Sequence, residues 1–235
     1  MYSRTIGETT YSFEPSGGLL HAGLVMQDRE TDSYWSIMTE TAISGDAKGQ
    51  DLELLPGAVK RTFGDWRREH PGTRVLSIEG VEHDAREPYD RYFSSEEGFR
   101  GLQATDTRLP DKTPIFVFQL GETHHAIPQD SFVGGGVATF GGEQLFLHRR
   151  QDDSFYRSTA AWRAPVGHRF EHREGWQLVA DGGDVVGRWD ETTRRFETEV
   201  ALEEFYDGFD TYWYIWSLTN PDGELTRASR EAVGP

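Results

Sequence analysis

The sequence predicts a mainly β protein, a β-rich α+β fold made of two similar β subdomains from an internal duplication, each with one short helix. Three observations predict it. Short runs rich in β-branched and aromatic residues recur along the chain, most of them bounded by Gly, Pro, Asp or Ser. Three segments recur in the same order: Ile6-Gly7-Glu8-Thr9 as Leu120-Gly121-Glu122-Thr123, residues 24–34 as 145–155, and Trp66 five before Pro71 as Trp216 five before Pro221. Their offsets grow from 114 to 121 to 150, as loop insertions in the second copy would give. Helix signals, by contrast, are few. Repeats of this size indicate two packed units and not a solenoid of short repeats.

Taken in order, strands are predicted at 9–13, 19–27, 33–39, 115–120, 144–148, 155–162 and 176–180. Asp28 to Asp32 reads as the tight turn joining the second and third strands, and Arg149 to Asp153 as its counterpart. Asp181-Gly182-Gly183-Asp184 is another strong turn signal. Thr62-Phe63-Gly64-Asp65 has the form of a capping box, and His70-Pro71-Gly72 supplies the stop, so a helix is predicted between them. Its apolar face, Phe63 and Trp66, predicts that Trp66 anchors it to a sheet. A second helix is predicted over roughly 209–218, ahead of Asn220-Pro221, on the strength of the recurrence; the run TYWYIW has strand propensity of its own. The organisation is then a first repeat at 1–77, a structured connector at 78–112 and a second repeat at 113–235, forming one compact unit.

Composition narrows the chemistry. With no Cys, disulfides, thiolate metal sites and cysteine nucleophiles are excluded. No stretch approaches the ~20 apolar residues of a membrane-spanning helix. The N-terminus lacks an apolar segment after a basic start, which, with Met1 as the start, predicts a cytoplasmic protein. The net charge of −16 comes from 40 acids against 24 bases, and only Lys48, Lys60 and Lys112 are lysines. A field this negative opposes nucleic acid and anionic membranes as partners. Two origins fit the Lys deficit: adaptation to high salt, where the Debye length falls to about 3 Å, or a GC-rich genome in which Arg codons displace Lys.

Family resemblance enters between Gly17 and Ser77. GLLHAGLVMQDRETDSYWS, AISGDAKGQDLELLP and DWRREHPGTRVLS resemble the central signature of family 3179 of the domains of unknown function. Asp28, Arg29, Thr31, Trp35, Gly45, Gly49, Trp66, His70, Pro71, Thr73 and Leu76 stand at its characteristic positions. Asp90-Arg91-Tyr92-Phe93, Arg108-Leu109-Pro110, Gly121-Glu122 and the closing Asn-Pro-Asp-x-Glu-Leu are also similar to it. Two departures stand out. The Cys-Pro-Leu-Cys-like segment usual upstream in the family is absent from this sequence, and His21 occupies a position where an aromatic followed by Asn or Arg is usual. The resemblance implies a β-rich fold and no established activity.

No nucleophile elbow, P-loop, dinucleotide fingerprint or HExxH is present. A residue type kept in both copies serves folding, whereas one that differs between copies is the better functional candidate. That filter selects Asp28 (against Arg149), Thr31 (against Asp152), Trp35 (against Tyr156) and His70 (against Asn220). Arg29 joins them as a bidentate clamp for an anion or carboxylate. His124 and His125, adjacent in a predicted strand, point to opposite faces. A metal set across strands would combine His21, His148 and one of that pair, with His125 the candidate. His168 and His172 share a face only ~13 Å apart at ~3.3 Å per residue, too far for one ion. These features predict a non-catalytic module that binds a small ligand or a protein partner in a cleft between the repeats. The alternative is an enzyme with a His and carboxylate cluster, performing metal-assisted hydrolysis or oxidation. No cofactor is indicated.

For a chain adapted to high salt, the thermal midpoint rises between about 0.1 M and about 2 M KCl, because screening relieves the self-repulsion of the excess acids. A calorimetric midpoint that stays level or falls leaves codon usage as the source of the Lys deficit.

Overall fold

The computed structural model describes residues 1–55, 58–76, 89–155 and 157–230. Residues 78–88 of the predicted connector, and Tyr156, lie outside the described residues. The fold is β-rich, with four four-stranded sheets, a two-stranded ribbon and three short α-helices among the described residues.

The N-terminal sheet is an antiparallel meander of Phe13–Leu20, Gly23–Asp28, Tyr34–Ser36 and Thr41–Ser44. Its core forms around Trp35, which is fully buried and meets the rings of Tyr11 and Phe13 edge-on at 5.4 Å. Ala42, Ala47 and Leu52 complete that cluster. The central sheet orders Gly208–Tyr212, Pro114–Leu120, Thr123–Pro128 and Glu224–Leu225, the last pair parallel. A third sheet orders Glu203–Glu204, Ala160–Arg163, Glu143–His148 and Gly136–Phe140. The fourth is a meander of His168–His172, Trp176–Ala180, Val185–Asp190 and Arg195–Thr198.

Strand periodicity stacks these elements. Successive side chains of a strand point to opposite faces. On Pro114–Leu120, Ile115 and Val117 face Trp213 and Trp216 of a helix, while Phe116 and Phe118 face Leu145, Leu147 and Ala161 of the third sheet. On the third sheet, Val137, Phe146 and Trp162 turn the other way and meet Phe170, Trp176, Leu178 and Phe196 of the fourth. The order is therefore helix, central sheet, third sheet, fourth sheet. A strand buried on both faces has no reason to alternate, which is why IFVF and LFL read as unbroken apolar runs.

Helix α1 (Phe63–Glu69) starts and stops where its signals place it. Thr62 Oγ1 accepts from the Asp65 amide at 3.2 Å, and the His70 amide donates to Trp66 O at 2.8 Å. It buries no residue, however. Trp66 is 42% exposed, so its expected role as a buried anchor is corrected. None of its residues is buried against a sheet among the described residues; the indole is held within its own segment, donating to Thr73 Oγ1 at 2.8 Å and lying against His70. Helix α2 (Asp90–Ser94) lies in the connector and docks through the Tyr92 and Tyr214 hydroxyls, 2.9 Å apart. Lys112 Nζ clamps it, donating to the Tyr92 carbonyl and, at 2.8 Å, to that of Ser95. Helix α3 (Trp213–Thr219) is shorter than predicted because the first part of the aromatic run pairs as a strand with Pro114–Leu120.

The recurring segments share local geometry. Gly7 and Gly121 sit in tight turns at φ 59° and 61°. His70 and Asn220 close α1 and α3 with near-identical dihedrals, φ −124° with ψ 69° and 71°. An equivalence of whole halves does not follow from these turns. One four-stranded sheet lies before the connector and three after it, and Trp216 is 2% exposed where Trp66 is not.

Phe146, fully buried between the third and fourth sheets, predicts a loss of about 3–5 kcal/mol for Phe146→Ala in urea unfolding. Trp66→Ala is expected to cost less than about 1 kcal/mol. A reversal of that order places the α1 segment in the cooperative core.

Candidate functional site

The N-terminal sheet and the central sheet meet at a cleft of about 300 Å³. One wall is the turn 37–40 between strands Tyr34–Ser36 and Thr41–Ser44, carrying Met38, Thr39 and Glu40, with Leu54 beside it. The opposite wall is formed by His124, Asp207, Phe209 and the end of α3 with Trp216 and Asn220.

Glu40 adopts left-handed backbone at φ 58°, uncommon for a residue with a Cβ. Its carbonyl accepts from the Leu52 amide at 2.7 Å, and Tyr2 Oη, near Oε1 at 3.0 Å and the Ile37 carbonyl at 3.1 Å, ties the turn down. Burial pushes the Glu40 carboxyl above the usual carboxylate range. The Tyr2 hydrogen bond, the Met1 ammonium and His124 pull the other way, while Asp207 across the cleft adds to the rise. Burial and the neighbouring Glu40 charge likewise raise the Tyr2 phenol. His21, in a turn where both it and Ala22 have positive φ, places Nδ1 3.4 Å from Thr219 Oγ1, a second link between the two walls.

The residues singled out in the sequence are dispersed. Asp28, Thr31 and Trp35 do converge, inside the N-terminal sheet. Trp35 Nε1 donates to Asp28 Oδ2 at 2.7 Å, and the Thr31 amide and hydroxyl donate to Oδ1 at 2.6 and 2.9 Å. Ser33 extends the knot, accepting from the Ala47 amide at 2.9 Å. Gly45 is required beside it, since a Cβ there would stand 2.4 Å from Ser33 Oγ. Burial alone would raise the Asp28 carboxyl; the hydrogen bonds from Trp35, Thr31 and Ser33 outweigh it and hold the group below its usual value. Asp28 and Trp35 are fully buried, and the hydrogen bonds of this group run within it. Arg29 points outward to Glu14 at 2.6 Å. His70 caps α1.

The metal set His21, His125 and His148 is also separated, and among the described residues no three His, Asp or Glu side chains converge for an ion. His125 lies between the rings of Phe118 and Phe140, facing the third sheet, whereas His124 lines the cleft, the opposition that strand geometry requires. His148, fully buried, faces Trp189 in the next layer and reaches Glu191 Oε1 at 2.7 Å. Burial depresses both His125 and His148 toward the neutral form.

Arg149, the counterpart of Asp28 in the recurrence, also closes its turn from a buried position, with the charge reversed. It donates to the carbonyls of Arg157 at 2.5 Å and Ser154 at 2.7 Å. Asp210, 3.6 Å away, accepts from Gln129 at 2.7 Å and from the amide and hydroxyl of Thr159 at 2.8 and 2.6 Å. Glu40 and Asp207 carried no motif that sequence reading could have caught, and the motif that holds Asn220 read only as a helix stop.

A β-rich chain of stacked sheets defines the class, and family comparison gives the assignment. Residues 1–223 match the family described as "Protein of unknown function (DUF3179)", and the chain belongs to it. No curated protein and no solved structure matched the chain.

Opposite pH responses are expected of Asp28 and Glu40. Because the folded pKa of Asp28 is depressed, its stabilisation is present above its unfolded value of about 3.9 and is lost as pH falls through the folded value. Asp28→Asn therefore lowers the urea midpoint at pH 7, and its gap to the parent narrows in acid. Glu40, with a raised folded pKa, opposes folding when ionised, and stability is regained as pH falls through that value. Glu40→Gln raises the midpoint at pH 7, and the difference fades below about pH 4. Parallel curves across this range would contradict both assignments.

Proposed function

We propose that this protein is a small-ligand-binding module whose site is the cleft between the N-terminal and central sheets, and that its ligand carries an amine or another hydrogen-bond-donating group. The observation that carries the reading is the lining itself. Glu40 and Asp207 face each other across a recess near the small end of the usual range for ligand pockets, ~300–1,000 Å³, with no Lys or Arg on either wall among the described residues. The charge of Asp207 adds to the rise of the Glu40 carboxyl, and a cation placed between the two relieves it. Phe209 and Trp216 supply the apolar surface, and the left-handed Glu40 is a strained position of the kind that clusters at ligand sites.

Catalysis by a His and carboxylate cluster, as hydrolysis or oxidation, would draw on Glu40, His124 and Asp207. Binding is favoured because no hydrogen bond joins His124 to either carboxylate among the described residues, so no proton relay is assembled. The hydrogen-bond partner of Glu40 is Tyr2.

Titration with small primary amines, set against alcohols of the same shape and followed by tryptophan fluorescence, tests this. Saturable binding of the amine alone, weakened about tenfold (~1.4 kcal/mol) in Glu40→Gln, is expected. Equal response to amine and alcohol, or no saturation by about 10 mM, a free energy of only a few kcal/mol, rejects it.

A further inference from the structure

On the far side of the third sheet, the segment leading into α1 crosses the chain that enters strand Ala160–Arg163, and a recess of about 100 Å³ opens between them. Lys60, Arg61, Arg157, Arg194 and Arg195 line it together with Glu69 and Glu204. Five of the chain's 24 Lys and Arg residues therefore gather at one point of a protein with a net charge of −16. Such a concentration runs against the overall field and needs a local cause.

Charge pairing separates the five. Arg61 pairs with Glu69, Arg157 with Asp65, and Arg194 with Asp153 at 3.0 Å. Glu204 accepts from the Tyr206 hydroxyl at 2.6 Å. Lys60 and Arg195 are left over: neither has a carboxylate within 4.0 Å among the described residues. Lys60 is an exposed residue whose ammonium lies 5.0 Å over the Phe155 ring. Burial lowers its pKa, attraction to Asp210 offsets part of that, and the Arg149 guanidinium repels it. A partly desolvated cation without a counter-charge is costly.

We propose that this recess is an anion site for a phosphate group, with Lys60 and Arg195 supplying the uncompensated charge and Arg157 and Arg194 the walls. Lys60 and Arg195 set against Glu204, whose partner Tyr206 is neutral, leave one net positive charge in the recess, which favours an anion, and a guanidinium offers the planar fork that tetrahedral oxyanions accept. The small volume suits one such group, with anything attached to it projecting outward to solvent. The Thr159 hydroxyl is not a contact, since it already donates to Asp210 at 2.6 Å.

Calorimetric titration of the full chain with inorganic phosphate and with glycerol phosphate, at ionic strength held constant with chloride, tests the proposal. One-to-one saturable binding is expected, weakened at least about tenfold in Lys60→Met and separately in Arg195→Gln. Arg195→Gln should keep the parent's melting midpoint in chloride and Lys60→Met should keep or raise it, because neither side chain has an ion pair to lose and Lys60→Met removes a partly desolvated charge; if one fails to fold, the other carries the test. Tighter binding of glycerol phosphate marks an organic phosphate as the ligand, and tighter binding of inorganic phosphate marks the free ion. Heat that rises without saturation, or affinity unchanged in the variants, overturns the proposal.

Discussion

Burial of the strand Pro114–Leu120 on both faces is the constraint on which the rest of the structure depends. Its odd-numbered side chains hold α3 and its even-numbered ones hold the third sheet. A shift of one residue in its pairing with Gly208–Tyr212 would exchange Ile115 and Val117 for Phe116 and Phe118 on the helix side. Gly208 shows how tightly this register is set: a Cβ there would stand 2.2 Å from the Phe116 ring.

That constraint also accounts for the cleft. Helix α3 covers one face of the central sheet through Trp213 and Trp216, but it is only 7 residues long and ends at Asn220. Beyond its end the sheet is left for the N-terminal sheet to approach, and the turn 37–40 does so with a strained Glu40 rather than with an apolar residue. The polar groups of the cleft lie where packing stops, whereas those of the Asp28 knot and of the Arg149–Asp210 cluster lie inside packing and are hydrogen-bonded there. Burial with every hydrogen bond made is a structural arrangement; burial with a capacity left over, as at Glu40, is an available one.

How much of this was legible in the sequence depended on how local the cause was. The strand-rich class, the α1 boundaries and the turns at Asp28 to Asp32 and Asp181 to Asp184 follow from residues a few positions apart, and they stand where the signals put them. The start of α3 was misplaced because the pairing of Asp210 to Tyr212 with a strand about 95 positions earlier outweighs anything nearby. Trp66 misled for a related reason. An amphipathic face implies a partner surface, yet nothing in the local sequence says whether one lies underneath. Asp28, Thr31 and Trp35 were selected one by one as ligand candidates because they differ between the recurring segments, and the folded chain hydrogen-bonds them to one another. The cleft was invisible, since Glu40, His124, Asp207 and Asn220 come from four separate elements with no common motif.

The same long-range pairing has a consequence for synthesis. Strand Pro114–Leu120 leaves the ribosome well before Gly208–Tyr212, its neighbour on one side, and before α3, its cover on one face. Closing so long a loop is slow relative to forming hairpins. The N-terminal sheet and the fourth sheet, both simple meanders, can form as they emerge, while the central sheet must wait with an apolar edge and an apolar face open to solvent. Such an edge is a template for pairing with another chain. Nascent or truncated forms that stop short of residue 208 should therefore be the aggregation-prone species of this protein, even though the finished molecule carries a large like-charge repulsion that keeps its copies apart.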